Sequence, residues 1–351
     1  MNLGLMFFSS VDQHAGGDRY GLLLNVARVA DAGPFVALWT PERHFHPFGG
    51  LFPNPTVTTA ACAAITSSVQ LRAGSLVSPL HNEIRVAEDW AVLDNLSGGR
   101  VAISFGSGWN IEDFALWPER YERRKDVMYE QIATIRRLWR GETIELDGPD
   151  GRSFDVQLHP RPLQAELPVW VTSSGDVRTF ERAGAIGANV LTHLLGQDLD
   201  VLATKIAAYR RARTDAGVPG AGTVTLMLHT YVGSDDRDVR HLVQAPLSNY
   251  LASAISLEQA AAAGGGPVSG GRRLLDEDIP DDLKEELVEL AFERYYESAS
   301  LLGSPDRCVA FLRRLVPVGV DEIACLIDFG VPDELVLESL STLAEVAESV
   351  G

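Results

Sequence analysis

The chain has 351 residues, of which 46% are hydrophobic, so it is long and apolar enough to bury one large core. It carries 30 Lys and Arg against 48 Asp and Glu, and this formal net charge of −18 repels both nucleic-acid phosphates and anionic lipid surfaces. We therefore expect no nucleic-acid partner and no membrane partner.

The cysteines and the first residues suggest a compartment. Cys62, Cys308 and Cys325 are far apart and odd in number, which argues against a disulfide framework and predicts a reducing, cytoplasmic location. The apolar start lacks the basic residues of a signal peptide, so we interpret it as a first strand.

Short apolar runs alternate with segments of helical periodicity along the chain. The predicted strands are residues 3–8, 35–39, 69–77, 101–105, 168–172, 188–192, 224–232 and 322–327. The predicted helices are residues 18–32, 55–67, 84–96, 120–140, 179–185, 199–216, 235–251 and 305–315. Eight such units with apolar strands are typical of parallel strands that are buried on both faces.

We therefore predict an α/β protein in which residues 1–351 form a single (β/α)8 TIM barrel. An open doubly wound sheet is the alternative, although a chain of this length would then more often divide into two lobes. Two insertions interrupt the pattern, after strands 4 and 7. Residues 141–162 are predicted as a hairpin, and the Gly- and Ala-rich residues 256–280 as a mobile loop, which is either a linker or a lid over the active site.

Histidines are concentrated just after predicted strands. In a barrel these positions meet at the C-terminal face, where barrel active sites lie. Five histidines lie at such positions: His14, His44, His46, His81 and His193. Because imidazole exchanges protons near neutral pH, we expect at least one of them to be functional, with loop capping or loop hydrogen bonding as the alternative. No HExxH or CxxC motif is present, so we expect no metal site.

Small residues follow the fourth and fifth predicted strands. Ser107-Gly108 ends one strand, and Ser173-Ser174-Gly175 leads into a helix that begins near Thr179. Free backbone N–H groups and hydroxyls at a helix start favour an anion, and Arg178 could add positive charge. We predict a phosphate site here, with a serine-capped loop as the alternative reading. No GxGxxG motif follows the first strand, and no Walker loop is present.

Several blocks resemble the bacterial-luciferase-like flavin monooxygenases. The second unit holds WTPERHF at 39–45 followed by Asn-Pro at 54–55, and the third holds SPLHN at 78–82, RVAED at 85–89 and LDNLSGGR at 93–100. Residues 169–175 are similar to the family's phosphate segment, and residues 303–306 with 318–323 are similar to its last unit. The resemblance covers nearly the whole chain and is strongest to the oxygenases of natural-product assembly lines.

The resemblance implies a cofactor and partners. Reduced FMN, supplied by a separate flavin reductase, would carry oxygen as a peroxide on C4a and oxygenate an organic substrate that is either a small molecule or tethered to a carrier protein. Relatives commonly form homodimers. The predicted helices 55–67 and 84–96 are apolar enough for such an interface, although burial within the barrel explains them equally well.

The resemblance also assigns residues to the cofactor. Gly74-Ser75 falls where relatives have a non-proline cis peptide beneath the flavin ring, with Ser78 and His81 nearby. Ser107 falls where luciferase has a phosphate-binding arginine, and Arg178 where it has a phosphate-binding threonine. The full set of cofactor-binding candidates is Gly74, Ser75, Ser78, Ser107, Gly108, Ser173, Ser174, Gly175, Arg178 and Thr179.

One departure from luciferase concerns catalysis. Arg43 stands where luciferase has the first histidine of Glu-His-His, and arginine cannot act as a base at ordinary pH. Arg43 could stabilise a peroxide anion or hold a substrate carboxylate or phosphate, and the proton role would pass to His44, His81 or His193. We therefore expect hydroxylation or Baeyer–Villiger-type insertion and no light emission. The alternatives are a deazaflavin-dependent oxidoreductase and a non-catalytic flavin-binding protein.

Overall fold

The computed structural model describes residues 1–8, 17–173, 175–263 and 281–351, with side chains outside residues 254–287. Its centre is a closed ring of eight parallel strands, in the order β1-β2-β3-β4-β7-β8-β9-β11 and back to β1. These strands are β1 (Asn2–Met6), β2 (Ala37–Thr40), β3 (Gln70–Val77), β4 (Val101–Gly106), β7 (Val169–Ser173), β8 (Asn189–His193), β9 (Val224–Val232) and β11 (Glu322–Leu326). The predicted (β/α)8 fold is thus confirmed.

Helices cover the ring and end where the sequence provides caps. Asn54 and Asn82 accept hydrogen bonds from the first backbone N–H groups of α2 and α3, and Gly98, with φ +72°, ends α3. The helices are α1 (Gly21–Ala32), α2 (Pro55–Ala63), α3 (Glu83–Ser97), α4 (Arg124–Arg140), α5 (Val177–Ala185), α6 (Leu199–Asp215), α7 (Asp236–Ala263), α8 (Asp281–Ser298), α9 (Pro305–Leu315) and α10 (Asp333–Val350). Among the described residues, none of these helices is long and apolar enough to cross a membrane.

The barrel interior contains an ion pair enclosed by aromatic rings. The guanidinium of Arg72 on β3 lies 4.7 Å from the ring centre of Trp39 and 4.3 Å from that of Trp170. Its Nη1 atom lies 2.7 Å from Oε1 of Glu322 on β11, which also accepts a hydrogen bond from Thr225. Because β3 and β11 are not neighbours in the ring, this pair spans the interior. The charges tolerate burial because each has a partner.

The two predicted insertions have different outcomes. Residues 141–162 contain an antiparallel hairpin of β5 (Ile144–Asp147) and β6 (Ser153–Val156). It follows α4 and precedes β7, so it lies towards the N-terminal ends of the barrel strands, away from the face that carries catalytic residues in barrels.

The prediction for residues 256–280 is wrong in its first part. Helix α7 continues to Ala263, because the alanine run favours helix more strongly than loop. Residues 264–280 lie outside the described residues. Three further elements, α8, α10 and the short strand β10 (Leu301–Gly303), had not been predicted; β10 pairs with the end of β9.

Candidate active site

A buried carboxylate holds two imidazoles just after the ends of β2 and β3. Oε1 of Glu42 lies 2.9 Å from Nε2 of His44 and 2.6 Å from Nε2 of His81. Its Oε2 atom accepts a hydrogen bond of 2.6 Å from the backbone N–H of Val77. The structure thus brings together two of the predicted catalytic histidines through a residue that had not been named as a candidate.

The carboxylate controls the protons of both rings. Burial would raise the pKa of Glu42, but hydrogen bonds from His44, His81 and the Val77 amide outweigh burial and hold the pKa below its usual value. Burial opposes protonation of His81, yet the hydrogen bond to Glu42 and its charge raise the pKa of His81 above its usual value. Because an ionised carboxylate only accepts, both rings donate through Nε2, and Nδ1 of each neutral ring keeps its lone pair.

The backbone of His81 is fixed by the segment around α4. Nη1 of Arg120 donates a hydrogen bond of 2.6 Å to the His81 carbonyl, and Nε2 of Gln131 donates one of 2.8 Å to the same oxygen. These bonds restrict the direction of the imidazole relative to Glu42. A ring oriented in this way is typical of a site that transfers protons.

Arg43 turns into the protein rather than towards solvent. Its side chain is 3% exposed, and Nη1 lies 3.8 Å from Oδ2 of Asp113. Its guanidinium lies 4.9 Å from the ring centre of Trp109. Burial lowers the pKa of Arg43, and burial raises the pKa of Asp113 despite the guanidinium and a hydrogen bond from Asn110. Among the described side chains, Asp113 forms the ion pair with Arg43, and the charge of Glu112 acts on the guanidinium as well.

A pocket of about 430 Å³ opens beside these groups. It is formed by the loop after β2, which is closed by a hydrogen bond of 2.9 Å from the Arg43 N–H to the Phe52 carbonyl. Its walls combine charged, imidazole and apolar groups, contributed by Arg43, His44, Phe45, His46, Pro47, Gly50 and Pro53. The composition suits a small organic molecule with one polar end.

A second group of polar atoms lies at the ends of β7 and β8. The Ser173 hydroxyl is buried with no hydrogen-bond partner. A Cβ added to Gly175, whose φ is +148°, would lie 3.3 Å from Nζ of Lys205, the one atom among the described residues within 4 Å apart from those of the glycine's chain neighbours. Lys205 also donates a hydrogen bond of 2.7 Å to Gln197. An unpaired hydroxyl, an open glycine and an ammonium can together receive an anion.

Arg178, which the sequence predicts to bind the phosphate, forms an ion pair with Asp176. Its side chain is 83% exposed and is paired with Asp176, with Nη2 3.1 Å from Oδ2. Asp176 also caps α5 by accepting from the Arg178 N–H, so an acidic group already occupies this helix start. Thr179 is half-buried in the first turn. Ser174 lies outside the described residues.

The other cofactor candidates surround the ends of β3 and β4. The peptide between Gly74 and Ser75 is cis, as the resemblance implies, and the buried Ser78 hydroxyl has no hydrogen-bond partner. Ser107 is half-buried. Gly108 is explained by packing, because an added Cβ would lie 2.8 Å from Phe114 and 2.9 Å from Val77.

His193 ends β8, separate from the Glu42 cluster. Its Nδ1 atom accepts from the Leu195 N–H at 3.1 Å, so the neutral ring carries its proton on Nε2. Burial and the charge of Lys205 lower the pKa of His193 to about 4. The buried His229 on β9 has its pKa lowered to about 3 by burial. Both rings are neutral at pH 7. In the described part of the chain, no cluster of three or more His, Cys, Asp or Glu residues could hold a metal ion.

Sequence reasoning missed three residues of this region. Glu42 stands inside the quoted WTPERHF block, and a carboxylate two residues from a histidine is a signal that could have been used. Asp113 lies in a short 3-10 helix (Glu112–Leu116) after β4, and Lys205 lies on α6. Neither has a local signal, because each reaches the region only through tertiary packing.

Comparison with protein families and curated proteins gives consistent matches. A family model described as luciferase-like monooxygenase matches residues 1–322. The chain is 28% identical over 242 residues to the oxygenase component of the flavin-dependent trigonelline monooxygenase of Acinetobacter baylyi, covering 65% of this chain and 64% of that protein. It is 32% identical over 195 residues to the F420-dependent glucose-6-phosphate dehydrogenase of Beutenbergia cavernae, covering 53% and 55%. Each match spans less than two thirds of the relative's length.

Solved structures match over the full length. Monooxygenase RslO1 from Streptomyces bottropensis has a TM-score of 0.79 at 22% identity, covering 100% of this chain and 99% of that one. The oxygenating constituent of 3,6-diketocamphane monooxygenase from Pseudomonas putida, a type II Baeyer–Villiger monooxygenase in complex with FMN, has a TM-score of 0.78 at 18% identity, covering 99% and 98%. At these identities the likeness shows a shared fold.

Proposed function

Because this chain belongs to the luciferase-like monooxygenase family, we propose that it is a flavin-dependent monooxygenase that uses reduced FMN and dioxygen to hydroxylate an organic substrate or insert oxygen into it. The observation that carries this proposal is the Glu42 cluster, in which one buried carboxylate holds His44 and His81. It lies at the barrel face where enzymes of this fold work, next to a pocket that His44 lines.

The polar groups at this face fit FMN. The phosphate and ribityl chain require hydrogen-bonding groups that have no other partner, and the buried hydroxyls of Ser78 and Ser173 meet this requirement. Lys205 supplies a positive charge beside Gly175. Together with Ser75, Ser107, Gly108 and Thr179, these residues are the proposed cofactor site, and Arg178 is the alternative cation, which would have to release Asp176.

The chemistry of oxygen activation belongs to the bound reduced flavin. The task of the chain is to exclude water, hold the substrate and handle one proton. Glu42, His44 and His81 together suit this last task, because one carboxylate charge balances one imidazolium, so the cluster stores a single extra proton without net charge. His81 holds that proton more tightly than a free imidazole, and His44 is the ring that lines the pocket.

The proposal is tested with ¹⁸O₂. The full chain is supplied with FMN, NADH and a flavin reductase and is offered a panel of neutral, carboxylate and carrier-tethered compounds. We expect one ¹⁸O atom in the product only when reductase and oxygen are both present. Absence of labelled product across the panel would contradict the proposal. If FMN still binds, that result would favour a non-catalytic flavin-binding protein, and absence of FMN binding as well would contradict both.

A deazaflavin-dependent oxidoreductase is the second candidate. It is favoured by the 32% identity to a relative named as F420-dependent. Parallel titrations with FMN and F420 separate the two, because the second candidate requires tighter binding of F420 and substrate oxidation or reduction without oxygen.

The remaining assignments concern partners and location. Supply of reduced FMN by a separate reductase is supported by the name "oxygenase component" of the Acinetobacter baylyi relative. All three cysteines are free and buried, which suits a reducing, cytoplasmic environment. From the sequence resemblance we propose a role in natural-product biosynthesis and delivery of the substrate by a carrier protein.

A further inference from the structure

Arg43 is a buried cation that uses only part of its hydrogen-bonding capacity. The side chain is 3% exposed, and its one ion pair runs from Nη1 to Asp113 at 3.8 Å. The Nε and Nη2 atoms are both buried and have no hydrogen-bond partner. Buried N–H donors are almost always paired in folded proteins, so two unpaired donors on one buried side chain indicate a ligand.

The two unpaired atoms lie on one edge of the guanidinium. The N–H of Nε and one N–H of Nη2 point in the same direction, and this edge binds the two oxygens of a carboxylate through parallel hydrogen bonds. Lysine cannot reproduce this geometry, because its ammonium is a point charge. The shape of the unused edge therefore selects a planar anion with two oxygens.

The acidic side chains near Arg43 do not fully balance the charge of its guanidinium. Asp113 and Glu112 are the acidic side chains that face Arg43, and Asp113 also accepts a hydrogen bond of 2.8 Å from Asn110. Burial raises the pKa of Asp113 although the charge of Arg43 lowers it, so burial disfavours the charged form of this partner. A second anion at the free edge would complete the balance.

The side chain of Arg43 borders a pocket of about 430 Å³. Arg43 and His44 both line the pocket, and Phe45 with two prolines gives it apolar walls. In the lining of this pocket Arg43 is the one Lys or Arg, which suits a monoanion better than a phosphate dianion. We propose that Arg43 binds the carboxylate of an organic-acid substrate through Nε and Nη2, with the carbon skeleton against the apolar wall and near His44.

This inference rests on the proposed function and is tested by binding alone. The full chain is titrated by calorimetry with benzoate, nicotinate and octanoate, each against its own amide, and with phenyl phosphate. We expect at least one acid to bind about tenfold or more tightly than its amide, because the amide cannot accept two charge-assisted bonds. The Arg43→Gln variant should lose this preference, and Arg43→Lys should keep only part of it.

Arg152→Gln is the matched control, because the Arg152 side chain is 69% exposed on the distant hairpin. This variant should bind the acid in preference to its amide as strongly as the wild type does. Equal binding of every acid and amide to the wild type would overturn the inference, as would tighter binding of phenyl phosphate than of every acid. A preference that survives in Arg43→Gln, or a loss of FMN affinity in that variant with the acid preference intact, would also overturn it.

A crystal structure of the wild type with the preferred acid gives a test that does not depend on the stability of the variants. Its carboxylate must lie on Nε and Nη2 of Arg43, and an acid bound elsewhere would overturn the inference. FMN affinity and ¹⁸O labelling are measured separately, so failure of the monooxygenase proposal leaves the acid-to-amide ratio unaffected.

Discussion

Glu42 is the residue on which the geometry of the site depends. It receives hydrogen bonds from two imidazoles and one backbone N–H group, and its side chain is fully buried. Such a carboxylate is stable only while those donors are in place, because an isolated buried charge is very costly. Its loss therefore affects both the stability of the fold and the protonation of the histidines.

The Glu42→Gln variant should lower the free energy of unfolding by about 1.5–3 kcal/mol at pH 7, because it removes hydrogen bonds to a charged group. The pKa of His81 should fall, since Asp89 and Arg120 would then be the charges that face it. The pH profile of oxygenation should move to lower pH. Histidine NMR titration and urea denaturation measure these effects. Glu88→Gln, which changes a side chain that is 39% exposed on α3, is the control. An unchanged His81 titration would contradict the role given to Glu42.

The pH dependence of stability has a definite sign. The pKa of His81 is raised in the fold, so its contribution is complete below the unfolded value of about 6.5 and is lost as pH rises through the folded value. The pKa of Glu42 is lowered, so its contribution is complete above about 4.3 and is lost as pH falls through the folded value. Between about pH 4.3 and about pH 6.5, both residues contribute to stability. Glu42→Gln should therefore weaken the dependence of the free energy of unfolding on pH.

Lys205 and Arg178 make different predictions for the cofactor phosphate. Lys205→Met should weaken FMN binding by about 10- to 100-fold, the effect of losing a hydrogen bond to a charged group, and should leave riboflavin binding unchanged because riboflavin lacks the phosphate. Arg178→Gln should change FMN affinity by less than about threefold, because an exposed ion pair contributes little. Calorimetric titration of both ligands is the measurement. A larger loss of FMN affinity in Arg178→Gln than in Lys205→Met would assign the phosphate to Arg178.

At the residue scale, local signals predicted part of the cluster that the structure shows. His44 and His81 were candidates because they follow strands and strand ends meet in a barrel, whereas Arg43 was singled out by the resemblance to luciferase. Lys205 was not a candidate, because it lies thirty positions after Gly175 and comes near it only through the packing of α6 against α5. The ion pair of Arg178 had a local signal that the prediction did not use, because Asp176 stands only two residues before it.

At the scale of elements, the barrel strands were the most predictable part of the chain. Residues 224–232 were placed with the observed bounds of β9, because buried parallel strands appear as continuous apolar runs. Helix α7 extends into residues 256–263, which the sequence assigns to a mobile loop, because alanine is the strongest helix former. Strand β10 has three residues and is too short for any periodicity to show.

The hairpin β5–β6 should be dispensable for cofactor binding. Ile144 is directly opposite Val156, so an Asn-Gly pair in place of residues 145–155 closes the ladder with a two-residue turn and keeps the buried Ile144. We expect FMN affinity to stay within about twofold of wild type, because the hairpin lies on the N-terminal side of the barrel. Calorimetry checks this. A tenfold loss of FMN affinity in a folded variant would contradict the placement of the site at the opposite face.

At the scale of the whole molecule, α2 and α3 carry exposed apolar side chains, and we propose that these form the interface of a homodimer. Val57 is 64% exposed on α2, and Leu96 is 65% and Val92 43% exposed on α3. The two helices pack against each other, so these side chains belong to one region of the surface.

Leu96→Glu should therefore convert a dimer into a monomer in light scattering after gel filtration, since it buries an unpaired charge in the interface. The control Val316→Glu changes a side chain that is 61% exposed at the end of α9 and should leave the dimer intact. A monomeric wild type, or a Leu96→Glu dimer, would refute this interface.

A structure of the full chain with bound FMN is the most direct test of the central claim, that the C-terminal ends of the strands form a flavin site served by Glu42, His44 and His81. We expect the phosphate near Ser173 and Lys205 and the flavin ring beside the Gly74-Ser75 peptide, within reach of the pocket that Arg43 and His44 line. FMN bound at the N-terminal end of the barrel, or a ring far from the Glu42 cluster, would contradict the claim.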